Sequence, residues 1–163
     1  MKVLVTGANG QLGREICFLQ DEFKDLNFVF VDKNAFDITD EKAVFAALCQ
    51  GKFDAVINCA AFTAVDKAQN ESQRAFGVNE KGALHLAKAC KMSGARLVHI
   101  STDYVFDGKA SKPLTESDNT APLGVYGASK RAGELAILSE NLSKSCIIRT
   151  SWLYSEFGSN FVK

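Results

Sequence analysis

The sequence predicts an α/β fold built on a doubly wound parallel sheet, and two observations carry that expectation. Short apolar runs rich in β-branched residues alternate with longer stretches of helical periodicity. A glycine-spaced turn, VTGANGQLG, joins the first run to the first helical stretch. Such alternation needs crossover connections, because parallel neighbours cannot be joined by a tight turn, and the crossovers bring helices onto both faces of the sheet.

The strands are KVLV, NFVFVD, DAVINC, RLVHIS and SCIIRT, near-continuous apolar runs as expected of strands covered on both sides. Helical periodicity marks residues 11–20, 40–50, 71–93 and 125–141. The irregular stretch 103–124 contains both prolines, and a loop of that length in a compact domain is usually functional. No repeat, low-complexity segment or linker interrupts the pattern, so residues 1–163 are read as one domain, with 47% hydrophobic residues to supply one core.

Composition narrows the function classes. The 19 basic and 19 acidic side chains cancel, and no Lys/Arg run offers the positive stripe that nucleic acid requires. MKVLVTGANG is too short in apolar residues for a signal segment, and no later run approaches a membrane span. The expectation is a soluble, cytoplasmic chain with neither nucleic-acid nor membrane partners. Cys17, Cys49, Cys59, Cys90 and Cys146 are odd in number and lack CxxC spacing, which suits reduced packing residues. His85 and His99 have no ligand-spaced partner and are read as structural, so no metal site is assigned.

The glycine turn carries the first functional expectation. Directly after a strand and opening a helix, Gly7 makes the turn, Gly10 admits a pyrophosphate and Gly13 lets helix and sheet touch. Unpaired N–H groups and the helix dipole then face the phosphates. Asp32 ends the second strand 19 residues past Gly13, near the distance of about 20 at which an acid accepts the ribose hydroxyls. Turn, helix, strand and acid together describe a Rossmann-type NAD(P)-binding domain.

The second half supplies chemistry. YGASK sets Tyr126 and Lys130 four residues apart on one face of a helix. A tyrosine with pKa near 10 is a poor proton donor at neutral pH, and a neighbouring ammonium is expected to draw that value down. HISTDYVF places Ser101 and Thr102 at the carboxyl end of the fourth strand, where ligands of open α/β sheets bind.

With glycine loop, Ser/Thr and YxxxK in this order, the chain resembles the extended short-chain dehydrogenase/reductases. VTGANGQLG, NCAAFTAVDKA, STDYVFDG, YGASKRAGE and RTSWLYSEFGSNF follow the succession of motifs in the dTDP-4-dehydrorhamnose reductases among them. The resemblance implies a catalytic trio of Thr102, Tyr126 and Lys130 and reduction of a nucleotide-sugar C4 ketone. It places Gly10, Gln11 and Leu12 at the pyrophosphate, Asp32 at the ribose, Asp37 and Ile38 near the adenine, and Ala61, Phe62 and Thr63 along the inner coenzyme. Tyr126 and Lys130 also reach the coenzyme. Asp66, Lys67, Asp103, Tyr104, Val105 and Trp152 join Thr102 on the sugar-nucleotide side. NADPH and NADH are both expected: Asp32 repels a 2′-phosphate, while Lys33 and Arg14 offset it. Members of that family continue into a smaller carboxyl-terminal lobe, so the chain reads as the amino-terminal part with the substrate lobe missing. The Mg2+ ion and homodimer contacts known in parts of the family are not assignable to residues here.

A dehydratase of the same superfamily needs TDE where this sequence has Thr102, Asp103 and Tyr104. Two alternatives keep the fold. One is a non-catalytic regulatory subunit resembling the methionine adenosyltransferase beta subunit; the other is a reductase or epimerase of another nucleotide sugar. The run RTSWLY favours the reductase over the regulatory subunit.

Overall fold

The computed structural model describes residues 1–158, 160 and 162. Five strands, β1 (Lys2–Thr6), β2 (Asn27–Val31), β3 (Ala55–Asn58), β4 (Arg96–Thr102) and β5 (Ser145–Thr150), form one sheet. Their order is β2-β1-β3-β4-β5 and every pairing is parallel. Chain direction across the sheet reverses between β1 and β3, the crevice where doubly wound sheets bind ligands. This is the Rossmann-like α/β architecture expected.

Helices α1 (Gln11–Leu19), α2 (Glu41–Gly51), α3 (Val65–Asn70), α4 (Ser72–Phe76), α5 (Ala83–Ser93) and α6 (Val125–Ser139) make the connections. Asp40 caps α2 by accepting from the Ala43 N–H at 3.0 Å. Gly94, at φ 77°, stops α5 in the left-handed conformation.

Strand side chains divide the core in two. Leu4, Val56 and Leu97 meet Val44 and Leu48 of α2, Leu86 and Cys90 of α5 and Ile137 of α6. On the opposite face Val3, Val5 and Ala55 pack with Ile16 of α1 and with Phe28 and Phe30, whose rings stack at 5.7 Å. Each fully buried Leu or Ile contributes about 1.5–3 kcal/mol. Among the described residues no helix is long and apolar enough to cross a membrane.

Two elements and three cysteines depart from what the sequence predicts. The stretch 71–93 is not one helix: α4 and α5 are separated by a π-helical segment, Gly77–Gly82. Helix α3 is additional, and its 6 residues are too few to display a 3.6-residue period. Packing describes Cys90 and half-buried Cys59, but Cys17, Cys49 and Cys146 are exposed, because they occupy the outer side of α1, α2 and β5.

Candidate functional site

A cleft of about 820 Å³ opens at the carboxyl ends of the strands, over the β1/β3 reversal. Its floor is the glycine turn. Gly7 has φ +69°, and a Cβ there would lie 2.6 Å from the Ala60 nitrogen, so only glycine suits the position. Among the described residues a Cβ on Gly10 would meet just the Gly7 carbonyl, at 3.2 Å, and Gly10 lines the cleft. One on Gly13 would collide with the Gly7 carbonyl and Ala8, which is the close helix–strand contact expected of it. Gly10 begins α1 without any side-chain cap, so the first N–H groups of the helix are free to meet an anion beside Gln11 and Leu12.

Asp32 lines the outer part of the cleft. Its Oδ2 accepts from Asn9 Nδ2 at 2.6 Å and its Oδ1 from the Asn34 and Ala35 N–H groups at 3.0 and 3.1 Å. Asp37 and Ile38 follow on the same wall. Burial raises the Asp37 carboxyl, but the Thr39 N–H and hydroxyl, helped by Lys33, hold it below its ordinary value. Ile38 is buried, with its carbonyl 3.1 Å from His85 Nδ1.

The inner wall is Ala61, Phe62 and Thr63, fixed by a residue that no local motif announces. The Phe62 N–H donates to Asn79 Oδ1 at 2.9 Å, and Asn79 Nδ2 donates to the Phe62 carbonyl at 3.1 Å and the Ser129 hydroxyl at 2.9 Å. Asn79 sits in the π-helical segment, where the wider turn aims it at the loop after β3.

Thr102, Asp103, Tyr104, Tyr126 and Lys130 line the far end. Thr102 Oγ1 accepts from the Tyr104 N–H at 3.2 Å and lies 3.1 Å from Asp103 Oδ1. The Tyr126 ring meets Tyr104 edge-on at 5.6 Å. Lys130 is 2% exposed; its Nζ donates to the Ile100 carbonyl at 2.6 Å and lies 3.4 Å from His99 Nε2. Burial lowers the Lys130 ammonium to about 8, against the opposing pull of Glu134 and Cys59.

The phenol departs from expectation. Burial raises Tyr126 above its ordinary value, the Thr102 hydroxyl bonded to it pulls the other way, and Asp103 and Tyr104 reinforce the rise. Lys130, whose Nζ donates to the Ile100 carbonyl, does not offset that rise.

Beneath this end lies a polar cluster that spacing did not reveal. Glu134, 1% exposed, accepts from Ser101 at 2.6 Å, Arg131 at 3.0 Å and Arg149 at 2.9 and 2.7 Å. His99 and Asn58 are equally buried. For His99 and Asn58 the legible signal was a polar residue inside an otherwise apolar strand; Glu134, on α6, had none.

Trp152, 71% exposed, stands at the rim. Asp66 and Lys67 are exposed on α3 and Val105 is fully buried; these three do not line the cleft. Among the described residues no group of three or more His, Cys, Asp or Glu could hold a metal.

Fold and cleft together define a Rossmann-type α/β protein of the kind that takes a dinucleotide at its β1/β3 reversal. The chain belongs to the RmlD substrate binding domain family, whose profile matches residues 1–163. A dTDP-4-dehydrorhamnose reductase of Streptomyces griseus is 46% identical over 159 residues, covering 98% of this chain and 52% of that protein. The crystal structure of a dTDP-4-dehydrorhamnose reductase from Clostridium acetobutylicum superimposes with TM-score 0.94 at 46% identity, over 99% of this chain and 57% of that one. The Bacillus anthracis dTDP-4-dehydrorhamnose reductase, solved in complex with NADP, gives TM-score 0.93 at 42% identity with the same coverage, 99% and 57%. The chain thus spans about half the length of these relatives.

Proposed function

We propose that residues 1–163 act as one NAD(P)-binding unit and that, in a protein of the relatives' length, this cleft serves the reduction of the C4 ketone of dTDP-4-dehydro-L-rhamnose. The observation that carries the reading is the shared cleft: the glycine turn with the uncapped start of α1 at one end, and Thr102, Tyr126 and Lys130 at the other. The space over Gly10, which a side chain would fill, fits a pyrophosphate. Gly10, Gln11 and Leu12 would hold it, Asp32, Asp37 and Ile38 would line the adenosine half, and Ala61, Phe62 and Thr63 the nicotinamide half. A bound NADPH or NADH supplies hydride.

Thr102 orients the ketone through its hydroxyl, and Tyr126 gives its phenolic proton to the ketone oxygen. The phenol carries that proton at neutral pH; its upward shift makes it a weaker acid than a free tyrosine, so the transfer depends on the negative charge that hydride addition develops on the ketone oxygen. Lys130 closes the inner end and holds the nicotinamide ribose. Tyr104 and Trp152, at the rim, would face the sugar nucleotide; Asp66 and Lys67 would reach it only from outside the cleft. Support also comes from the relatives' names and from the NADP-bound neighbour.

The test is Tyr126→Phe in a protein of the relatives' full length. Turnover with the nucleotide sugar should fall about 10²- to 10⁴-fold while coenzyme affinity, measured by calorimetry, stays within twofold or so. Near-normal turnover would assign the proton to another group, and no turnover with wild type would favour the non-catalytic regulatory reading.

A further inference from the structure

Asn58, His99 and Lys130 are buried together below the Tyr126 end of the cleft, and the reaction above uses only the lysine. Parallel register aligns Thr6, Asn58 and His99 across three adjacent strands. Hydrogen-bond polarity along this row runs one way. The Ala60 N–H, which can only donate, reaches Asn58 Oδ1 at 3.2 Å, and the Thr6 hydroxyl donates to the same oxygen at 2.7 Å. That fixes the amide, so the group 2.9 Å from His99 Nδ1 is the Asn58 NH2, a donor only. His99 Nδ1 is therefore an acceptor, and the neutral ring carries its proton on Nε2, 3.4 Å from Lys130 Nζ. The ring stays neutral: burial lowers its pKa to about 3, and the charge of Lys130 adds to the fall.

We propose that Asn58 and His99 form a one-way relay of N–H donors ending on Lys130, and that His99 is a positioning residue that steers the lysine toward the Ile100 carbonyl and favours its uncharged form. An ammonium has no lone pair and meets the His99 N–H as donor against donor, whereas the free amine accepts it. The other groups facing Lys130 do not reverse this. Glu134, one turn along α6, is held by Ser101, Arg131 and Arg149; Cys59, just past β3, is kept protonated by burial, which raises its thiol to about 12. Tyr126, one turn earlier, is neutral through its own burial, and the Ile100 carbonyl of β4 accepts at 2.6 Å. The meaning for catalysis rests on the reductase reading: an amine so held can exchange a proton with the cleft close to neutral pH.

Nuclear magnetic resonance of the chain tests the relay without coenzyme or turnover, so its failure and that of the reductase reading are separable. Long-range 1H–15N correlations read the His99 tautomer, and the Lys130 13Cε signal, assigned by its loss in Lys130→Met, reads protonation against pH. The wild-type ring should carry Nε2–H, and Lys130 should titrate well below the other lysines. Asn58→Asp, which puts an acceptor opposite Nδ1, should move the ring proton to Nδ1. His99→Phe, which keeps the bulk and removes the N–H, should raise the Lys130 titration by about one pH unit, tenfold in the equilibrium. An Nδ1–H ring in the wild-type chain overturns the proposal whether or not the variants fold. So does a folded His99→Phe chain whose Lys130 titration is unmoved or lower.

Discussion

Asp32 commits both carboxylate oxygens to the protein before any ligand arrives: Asn9 bonds one, and the Asn34 and Ala35 N–H groups bond the other. A carboxylate offers about four lone-pair sites, so about one remains for a ribose hydroxyl, and Asn9 must hold its place or give way. Lys33 is engaged, loosely, with Asp37 at 4.0 Å, and Arg14 stacks on Phe157 at 4.7 Å. The negative charge at 32 therefore has little local compensation. Asp32→Ala should raise the NADPH-to-NADH affinity ratio while weakening both coenzymes, since it also frees Asn9 and the 32–36 turn. Calorimetry with each coenzyme checks this, and an unchanged ratio means the charge does not reach the 2′ position. Glu134 belongs to the same scale. Burial raises its carboxyl, but Arg149, Ser101 and Arg131 together hold it below 4.5. Its contribution is thus complete above the unfolded value and is lost as pH falls through the lower folded one. Glu134→Gln should cost about 3 kcal/mol at neutral pH, the low end for a broken buried pair because both arginines keep some water. The acid limb of stability should flatten as well, as read by urea unfolding between pH 3 and 7. Tyr126, Lys130 and Asp32 were legible because helix and turn geometry tie function to short spacings. Asn58, His99 and Glu134 were not, since the partners that set their roles lie far along the chain: Asn58 and His99 are 41 residues apart, and Glu134, besides its helical neighbour Arg131, meets Ser101 33 residues away; no local period encodes that.

The π-helical turn between α4 and α5 is the element where sequence pattern and structure part. Polar and apolar positions run on through 71–93 with helical spacing, so nothing in the period marks the break. Its cause is tertiary: Asn79 must turn toward Phe62 and Ser129, and α6 approaches so closely that a Cβ on Gly133 would collide with the Asn79 carbonyl. Five strands and the long helices were readable because burial on one or two faces imposes a period. The position of a bulge was not, because it answers to contacts distant in sequence. Asn79→Ala should leave the Phe62 N–H and carbonyl without their partners, at about 1–3 kcal/mol for an orphaned buried group. Faster amide exchange at Phe62 and weaker coenzyme binding should appear together. Destabilisation with unchanged exchange at Phe62 would mean that Asn79 supports α6 rather than the cleft wall.

Across the whole molecule the two faces of the sheet are covered unequally. Among the described residues helices α2, α5 and α6 close one core, while Ile16 of α1 with Leu26, Phe28 and Phe30 covers the other, and Ile148 of β5 stays 42% exposed beside exposed Cys146. A dinucleotide that binds only the folded chain stabilises it by RT ln(1 + [L]/Kd), about 2.7 kcal/mol at a hundred times Kd. For a chain of this size that is a rise in Tm of about 5–10 °C. The glycine turn separates folding from binding. Gly7→Ala places a side chain at φ +69° against the Ala60 backbone, so it should lower Tm even without coenzyme. Gly10→Val adds bulk where, among the described residues, only the Gly7 carbonyl stands near, at 3.2 Å, so the chain should fold with a smaller loss of Tm than Gly7→Ala yet lose the rise in Tm, because the side chain occupies the place of the pyrophosphate. Thermal melts of wild type, Gly7→Ala and Gly10→Val with and without NADPH decide it: a full rise in folded Gly10→Val would put the coenzyme elsewhere than over the start of α1.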